Sequence, residues 1–344
     1  MELIRHEIFT QNDSLIKTKE QLYRQKDELT KLLHSSYKSL IFMGCGSGYM
    51  LSRGAAAMFS VHTDKKAVAL AGGEVMLHPE KYKNLFEDSL VVITSRSGET
   101  SEVAYSLTEM KKLTSFKVLG ILSNEECTLR PMTDLSVLLP WTYDNSVCQT
   151  RNISNFYYSL SMLLAFYNDD ASLADSFSAY LDIQTQFIDK LEKDCKEIAK
   201  LGWNSVTVLA DGEVCGVASE GGLAFTEIAI LPGDHSNILD YRHGPIVLVN
   251  EKKLMIVLLN KKSDAHQKKL VADLKARNGY VITLGLEDRE FWGSDYHINL
   301  DYLNGFEAWG LPYINLCQVL AFSKAVVMGH DPDAPEGLNP FVKF

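Results

Sequence analysis

Short apolar, β-branched runs alternate along this chain with longer amphipathic segments, and this alternation restricts the fold more than any other feature. The run at 90–94 is followed by a polar loop and then by Val103, Leu107 and Met110, which share one helix face. Strands that alternate with helices predict parallel sheets covered by helices on both faces. In the first half of the chain, the other predicted strands are 39–43, 67–70, 118–122 and 135–139.

The same pattern returns in the second half, where a run like that at Ser39 begins again at Ser205, 166 residues later. The runs at 254–259 and 281–284 likewise correspond to 90–94 and 118–122. The chain is therefore predicted to be α/β, with tandem duplicated, doubly wound parallel sheets in a flavodoxin-like three-layer arrangement. The predicted parts are an N-terminal helical segment (1–34), a first domain (35–172), a helical connector (173–200), a second domain (201–330) and a C-terminal tail (331–344).

Composition excludes several classes of function. With 344 residues, 46% of them hydrophobic and 23% charged, the chain is long enough for two globular domains. A net charge of −10 disfavours a nucleic-acid surface as the main function. We expect no transmembrane helix and no signal peptide. The six cysteines are scattered without a CxxC pair, which predicts reduced thiols and a cytoplasmic setting.

The N-terminal segment carries Leu15, Leu22 and Leu29 at intervals of seven residues. This spacing predicts an amphipathic helix that needs a partner surface. The surface could belong to the same domain or to a second subunit.

A loop dense in hydroxyl groups follows the strand at 90–94. Ser95, Ser97 and Thr100 can each donate a hydrogen bond, and Arg96 adds positive charge. Because the loop leads into a helix, its amides lie at the positive end of the helix dipole, which is an anion-binding arrangement. The loop is predicted to hold a phosphate group, and the alternative is a polar turn with a capping hydroxyl.

A second loop, at 44–48, is rich in glycine and contains Gly46 and Ser47. Glycines let backbone approach a phosphate closely. A dinucleotide fingerprint is not completed, since Tyr49 stands at its third position and no acidic residue ends the strand at 67–70. In the second half, Asp211 and its neighbours replace this loop, so only the first half is expected to bind an anion.

Glu220 and Glu227 are the candidate carboxylates for proton transfer. They lie seven residues apart among apolar neighbours, and partial desolvation there is expected to raise the pKa of Glu227 into the range of a general base. His243 lies in a turn before Gly244, and its ordinary pKa of about 6.5 suits proton transfer near neutral pH. The alternatives are solvated glutamates and a surface histidine. The histidines show no metal-ligand spacing, so no metal is predicted.

Together these motifs resemble the sugar isomerase (SIS) family, over about residues 35–335. The mark of greatest specificity is the loop at 95–100 with its partner at 44–48. The segments 147–151, 220–227 and 242–245 resemble the family's sugar-closing segment, its two-glutamate helix and its His-Gly-Pro turn. The layout is similar to tagatose-6-phosphate or galactosamine-6-phosphate isomerase/deaminases, to fructosamine-6-phosphate deglycases, and to the isomerase half of glucosamine-6-phosphate synthase.

The resemblance implies a site and a substrate. Ser47, Ser95, Arg96, Ser97 and Thr100 would hold the phosphate, Gly46, Gln149 and Thr150 would contact the sugar, and Glu227, His243 and Glu220 would be catalytic. The tail would close the site. The implied partners are a phosphorylated sugar or amino sugar and a second subunit in a homodimer that shares the site, with no cofactor, nucleic acid or membrane.

Two departures from the family pattern bear on the reaction. Ala224 stands where many synthase-like members have lysine, and 337–340 lacks their C-terminal lysine. The sequence therefore leaves open a sugar-6-phosphate aldose–ketose isomerase, with or without deamination, a fructosamine-6-phosphate deglycase, and a sugar-phosphate-binding regulatory module without turnover.

Overall fold

The computed structural model describes residues 3–260, 262 and 264–339. These residues divide into two compact units, one comprising the residues up to Asp175 together with 337–339 and the other comprising Ser176–Glu336. Each unit is built around its own five-stranded sheet. The end of the C-terminal tail, including Lys343, lies outside the described residues.

The first sheet is parallel throughout, with the strand order β2-β1-β3-β4-β5. Its two central strands, β1 and β3, are buried at every position, because helices cover both faces of the sheet. All five predicted strands are present, and the α/β prediction is confirmed. The strands are β1 Ser39–Gly44, β2 Ala67–Ala71, β3 Ser89–Ser95, β4 Lys117–Leu122 and β5 Leu135–Leu138.

The N-terminal segment folds as three helices rather than one, with breaks at Thr10 and Gln25. Leu15, Leu22 and Leu29 are fully buried, because the second and third helices pack on α8 of the same unit. These leucines therefore give no reason to expect a second subunit. The helices of this unit are α1 Leu3–Phe9, α2 Gln11–Arg24, α3 Lys26–Leu33, α4 Ser47–His62, α5 Gly72–Leu77, α6 Pro79–Phe86, α7 Ser101–Leu113 and α8 Arg151–Asn168.

The second sheet is also parallel, with the order β10-β9-β8-β6-β7, which read in reverse matches the first sheet. The two edge strands escape prediction from sequence because they are four residues long and mostly polar. Its strands are β6 Ser205–Leu209, β7 Gly233–Ser236, β8 Lys253–Leu258, β9 Tyr280–Gly285 and β10 Tyr296–Asn299. The remaining helices are α9 Ala171–Ala199, which contains the boundary between the units, α10 Cys215–Ile228, α11 Ala265–Ala276, α12 Arg289–Trp292 and α13 Gly310–Met328.

One helical stretch, Phe306–Met328, is long and apolar enough to cross a membrane by length and composition, which the sequence reading did not anticipate. Its mean hydropathy is 1.4, but 83% of it is buried inside the protein. Tyr313 from this stretch donates hydrogen bonds to the carbonyls of Leu209 and Ile256. It therefore packs as a core helix against the second sheet.

Candidate functional site

The carboxyl ends of β1 and β3 form the natural binding crevice of the first sheet. These strands are neighbours, and the chain leaves β1 toward β2 on one side and leaves β3 toward β4 on the other. Helices that depart to opposite faces leave a cleft at such a switch point, and ligands of open parallel sheets bind there. The two loops singled out in the sequence, at 44–48 and 95–100, are the loops that border this cleft.

The loop after β1 is shaped by close backbone packing. Gly46 has a φ of 52°, in the region that favours glycine, and it immediately precedes Ser47 at the start of α4. A Cβ at Gly44 would lie 2.5 Å from the carbonyl carbon of Gly48, and one at Gly48 would lie 3.1 Å from the carbonyl oxygen of Thr94. The loop therefore rests directly on the end of β3, which brings Ser47 to the cleft.

The loop after β3 is organised by its own hydroxyl groups. The Oγ of Ser95 accepts the amide of Gly98 at 3.0 Å and lies 3.3 Å from the Oγ1 of Thr100. The Oγ of Ser97 accepts the amide of Glu99 at 3.1 Å. Among the described residues no side chain caps α7, so the positive end of its dipole faces this loop. We call Ser47, Ser95, Ser97 and Thr100, with their backbone, the cradle.

Gly98 fixes the turn of this loop. Its φ is 65°, and an added Cβ would lie 2.2 Å from the Sγ of Cys127. The carboxylate of Glu99 holds the loop after β4, because it accepts hydrogen bonds from the amide of Thr128 at 2.8 Å and from the hydroxyl of Thr128 at 2.9 Å. The loop after β4, whose role the sequence did not reveal, therefore supports the cradle from outside the hydroxyl-rich loop at 95–100.

Arg96, which the sequence placed among the phosphate ligands, is directed elsewhere. It is buried, and its Nη1 and Nη2 donate to the carbonyl oxygens of Ser146 and Val147 at 2.8 and 3.1 Å. These bonds use two of the five N–H donors of the guanidinium. In the structure Arg96 links the cradle loop to the segment that carries Gln149 and Thr150.

Gln149 and Thr150 lie immediately before α8. Thr150 is fully buried, and its amide donates to the Oδ2 of Asp144 at 2.8 Å. The Oε1 of half-buried Gln149 accepts the side-chain amide of Asn152 at 2.7 Å. Asp144 was not singled out in the sequence, because it stands six residues before the helix N-cap and matches no common capping spacing.

In the second unit, Glu220 and Glu227 both lie on α10. Seven residues of helix separate their Cα atoms by about 10 Å along the axis. Glu220 is 5% exposed, whereas Glu227 is half-buried in the last turn. The accessible carboxylate is therefore that of Glu227.

His243 lies in an exposed turn between two short 3-10 helices, Asp240–Arg242 and Pro245–Leu248. Its amide donates to the carbonyl of Asp240 at 2.9 Å. Arg242 anchors the turn through a hydrogen-bonded ion pair with Asp273 on α11. The turn is thus held firmly while the imidazole faces outward.

Glu227 and His243 lie on opposite faces of the second sheet. On β6, Val208 points toward Gly221 of α10, whereas the next residue, Leu209, packs with Tyr241 and Ile246, which flank His243. Successive strand residues point to opposite faces. The thickness of the sheet and its covering layers thus separates the two side chains by on the order of 10 Å or more. The distance between Glu227 and His243 along the chain suggested a shared catalytic role, but the sequence did not reveal that the two side chains are separated by the sheet.

The corresponding crevice of the second sheet is filled by its own side chains. The Oδ1 of Asp211, after β6, accepts the amide of Ile238 at 2.8 Å and the side-chain amide of Asn237 at 3.0 Å. Its Oδ2 lies 3.5 Å from the side-chain nitrogen of Asn260. A carboxylate therefore ties the loops together where the first sheet has its glycine-rich loop.

Comparison with known proteins identifies the first half of the chain. Residues 33–168 match the SIS domain family. Over 345 aligned residues the chain is 26% identical to a D-galactosamine-6-phosphate deaminase of Shewanella sp. (strain ANA-3), covering 92% of this chain and 85% of that protein. It is also 26% identical to a glutamine–fructose-6-phosphate aminotransferase of Pyrobaculum aerophilum, over 75% of this chain but only 44% of that protein.

The chain thus spans about half the length of the aminotransferases that it matches. Among solved structures, it is similar to tagatose-6-phosphate ketose/aldose isomerase from Escherichia coli, with a TM-score of 0.85 and 21% identity. That match covers 99% of this chain and 95% of the other. At this identity the likeness concerns the fold, and it agrees with the two parallel sheets described above.

Proposed function

We propose that this chain, a member of the SIS domain family through residues 33–168, is a phosphosugar enzyme that moves a proton between C1 and C2 of a sugar 6-phosphate. The observation that carries the proposal is the cradle at the switch point of the first sheet, where hydroxyl groups and a helix N-terminus converge. The relatives that act on galactosamine 6-phosphate and fructose 6-phosphate support the substrate class.

The cradle supplies binding rather than chemistry. Ser47, Ser95, Ser97 and Thr100 donate hydrogen bonds to the phosphate, and α7 adds the positive end of its dipole. Gly46 leaves room for the sugar, and Gln149 and Thr150 contact its hydroxyl groups. Arg96 positions these last two residues instead of binding the phosphate itself.

The chemistry is that of a general base. His243 opens the ring by transferring a proton between the ring oxygen and the anomeric hydroxyl. Glu227 removes the proton from the carbon next to the carbonyl, which gives an enediolate. A proton then passes between the oxygens on C1 and C2, and Glu227 returns its own proton to the other carbon. Glu220, two turns before Glu227 on α10, orients the site. Neither hydride nor phosphoryl groups move, so the scheme calls for no cofactor.

The opposite placement of Glu227 and His243 has a consequence for assembly. Two side chains on opposite faces of one sheet cannot serve the same small sugar, so the Glu227 and the His243 of one site come from two copies of the chain. We therefore propose a homodimer with a shared site. The exposed turn around His243, with Val247 and Leu248 also exposed, suits insertion into a partner.

Two further readings use the same cradle. In the first, proton transfer on an amino sugar is followed by attack of water and loss of the amine, as in a deaminase, or water releases an amine from a fructosamine 6-phosphate. Ala224 stands where many synthase-like members have lysine, and this difference favours a deaminase or deglycase reaction over a synthase-like one. In the second, a chain that stays monomeric would separate Glu227 from His243 and would only bind the sugar phosphate.

A panel of phosphosugars scored for product tests the proposal. Fructose 6-phosphate, tagatose 6-phosphate, glucosamine 6-phosphate, galactosamine 6-phosphate and a fructosamine 6-phosphate are incubated with the protein, and products and free amine are measured. We expect turnover of at least one phosphorylated sugar and none of its unphosphorylated form. Binding without turnover across the panel would favour the regulatory module.

A further inference from the structure

The segment between β5 and α8 is buried without being regular. Asp144, Ser146, Cys148 and Thr150 are each at most 1% exposed, although residues 143–150 form neither helix nor strand. Irregular backbone in such a place depends on side chains for its hydrogen bonds. Here the partners are charged groups from distant parts of the chain.

One of these groups is Glu7 on α1, at the start of the chain. It is 1% exposed, and its Oε1 accepts the amides of Asn145 at 2.6 Å and of Ser146 at 3.2 Å. Its Oε2 accepts the hydroxyl of Ser146. Charge-assisted bonds of this kind are among the strongest that a side chain makes with a loop. Ile4 and Ile8, both fully buried, hold the helix turn that presents this carboxylate.

The carbonyl group of Ser146 is held by a residue of the loop after β3. Arg96 donates to the carbonyl of Ser146 at 2.8 Å while Glu7 accepts from its amide. Ser146 therefore lies between a carboxylate from α1 and a guanidinium from the loop after β3. Gln149 and Thr150 follow three and four residues further along the chain.

We propose that Glu7 is a positioning residue for substrate binding, which fixes the Ser146 peptide so that Gln149 and Thr150 are held at the sugar. This inference rests on the proposed function. Glu7 lies outside residues 33–168, the part that matches the SIS family. The N-terminal helix of this chain thus completes a site whose other parts lie at least 39 residues away in sequence.

Asp144 offers a second readout of the same contact. Burial, and next the charge of Glu7, raise the pKa of the Asp144 carboxyl to about 7, while bonds from the amides of Thr150 and Asn152 and the charge of Arg151 oppose this. Glu7 on α1 and Arg151 on α8 are the charged groups that act on Asp144. Removing the charge of Glu7 therefore lowers the pKa of Asp144.

The test compares Glu7→Gln with Glu20→Gln, a matched change on the neighbouring α2 at an exposed residue that pairs with Arg24. KM and kcat are measured for the best sugar phosphate between pH 5.5 and 8.5, with the melting temperature of each variant. We expect Glu7→Gln to raise KM on the order of tenfold with little change in kcat, because the sugar contacts are misplaced. A step in KM near pH 7 in the wild type moves to lower pH. Glu20→Gln behaves as the wild type.

A wild-type KM in Glu7→Gln, or a raised KM with the step unmoved, overturns the inference. If Glu7→Gln does not fold, Ser146→Ala removes the hydroxyl, which lies within hydrogen-bond distance of both Glu7 and the carbonyl oxygen of Cys148, and is expected to raise KM in the same sense, by a smaller factor. An unchanged KM there also overturns it. Should the wild type turn over no sugar on the panel, the proposed function fails instead. The role of Glu7 is then decided by calorimetry, in which the affinities of the wild type and of Glu7→Gln for fructose 6-phosphate and for inorganic phosphate are compared. If Glu7 positions the sugar contacts, Glu7→Gln weakens the binding of fructose 6-phosphate and leaves the binding of inorganic phosphate unchanged.

Discussion

Replacing Gly98 by alanine tests whether the cradle depends on a close approach that only glycine allows. The backbone at Gly98 has a φ of 65°, and the new Cβ would lie 2.2 Å from the Sγ and 2.4 Å from the Cβ of Cys127. A rotation of the Cys127 side chain relieves the first contact but not the second. The loop after β3 must therefore move.

The magnitude follows from two contributions. The left-handed backbone costs an alanine roughly 1–2 kcal/mol, and overpacking against Cys127 costs about 1–3 kcal/mol. We expect Gly98→Ala to lower the free energy of unfolding by about 2–5 kcal/mol. Gly46 and Gly212 provide matched controls, since their φ values are 52° and 53° and nothing lies within 4 Å of the added Cβ. Alanine at either should show the backbone contribution alone.

The assay is denaturant unfolding of the three variants, with the affinity for inorganic phosphate measured by calorimetry. Gly98→Ala should lose both stability and phosphate affinity, and Gly212→Ala should keep phosphate affinity because it lies in the second unit. Adding Cys127→Gly to Gly98→Ala removes both crowding atoms and should recover the overpacking contribution but not the backbone contribution. If Gly98→Ala proves no worse than Gly212→Ala, the packing account of the cradle is wrong.

Three further predictions concern the remaining parts. Burial raises the pKa of Asp144 to about 7, so the folded protein still binds a proton there at a pH where the unfolded chain, above about pH 4, has released it. The carboxyl group of Asp144 therefore lowers the free energy of unfolding by up to about 4 kcal/mol as pH rises from about 4 to 7. Asp144→Asn should flatten that slope when unfolding is measured as a function of pH. Asp211→Ala should cost about 1–3 kcal/mol through the lost bonds to Asn237 and Ile238 and leave phosphate affinity unchanged; a drop in phosphate affinity would contradict the assignment of the anion site to the first sheet. Mixing inactive Glu227→Gln and His243→Ala proteins should restore about a quarter of wild-type activity if sites are shared in dimers, and none if each chain carries a whole site.

The sequence predicted the central strands because parallel strands buried on both faces read as continuous apolar runs, as at Val91 and Ile256. The sequence also predicted correctly that the hydroxyl-rich loop lies at the start of a helix, because residues 95–100 separate an apolar run from a segment whose apolar residues have helical spacing. Edge strands such as Gly233–Ser236 carry no such signal, because they are short and mostly polar.

Side-chain direction was the part that sequence could not provide. The positive charge of Arg96 suggested a phosphate ligand, whereas its partners are carbonyls 50 and 51 residues away. The bonds that Glu7 and Asp144 make to the segment before α8 are likewise tertiary contacts with no local spacing rule. The spacing between Glu227 and His243 indicated a shared role, but only the alternation of Val208 and Leu209 on β6 places them on opposite faces.

Proton exchange in heavy water tests the central claim most directly. Wild-type protein, Glu227→Gln and Glu220→Gln are incubated with the active sugar phosphate, and deuterium at C1 and C2 is followed by NMR. The account predicts exchange by the wild type, its loss in Glu227→Gln with sugar-phosphate binding retained, and exchange still detectable in Glu220→Gln. Exchange by Glu227→Gln at the wild-type rate would contradict the assignment of the base and with it the proposed mechanism.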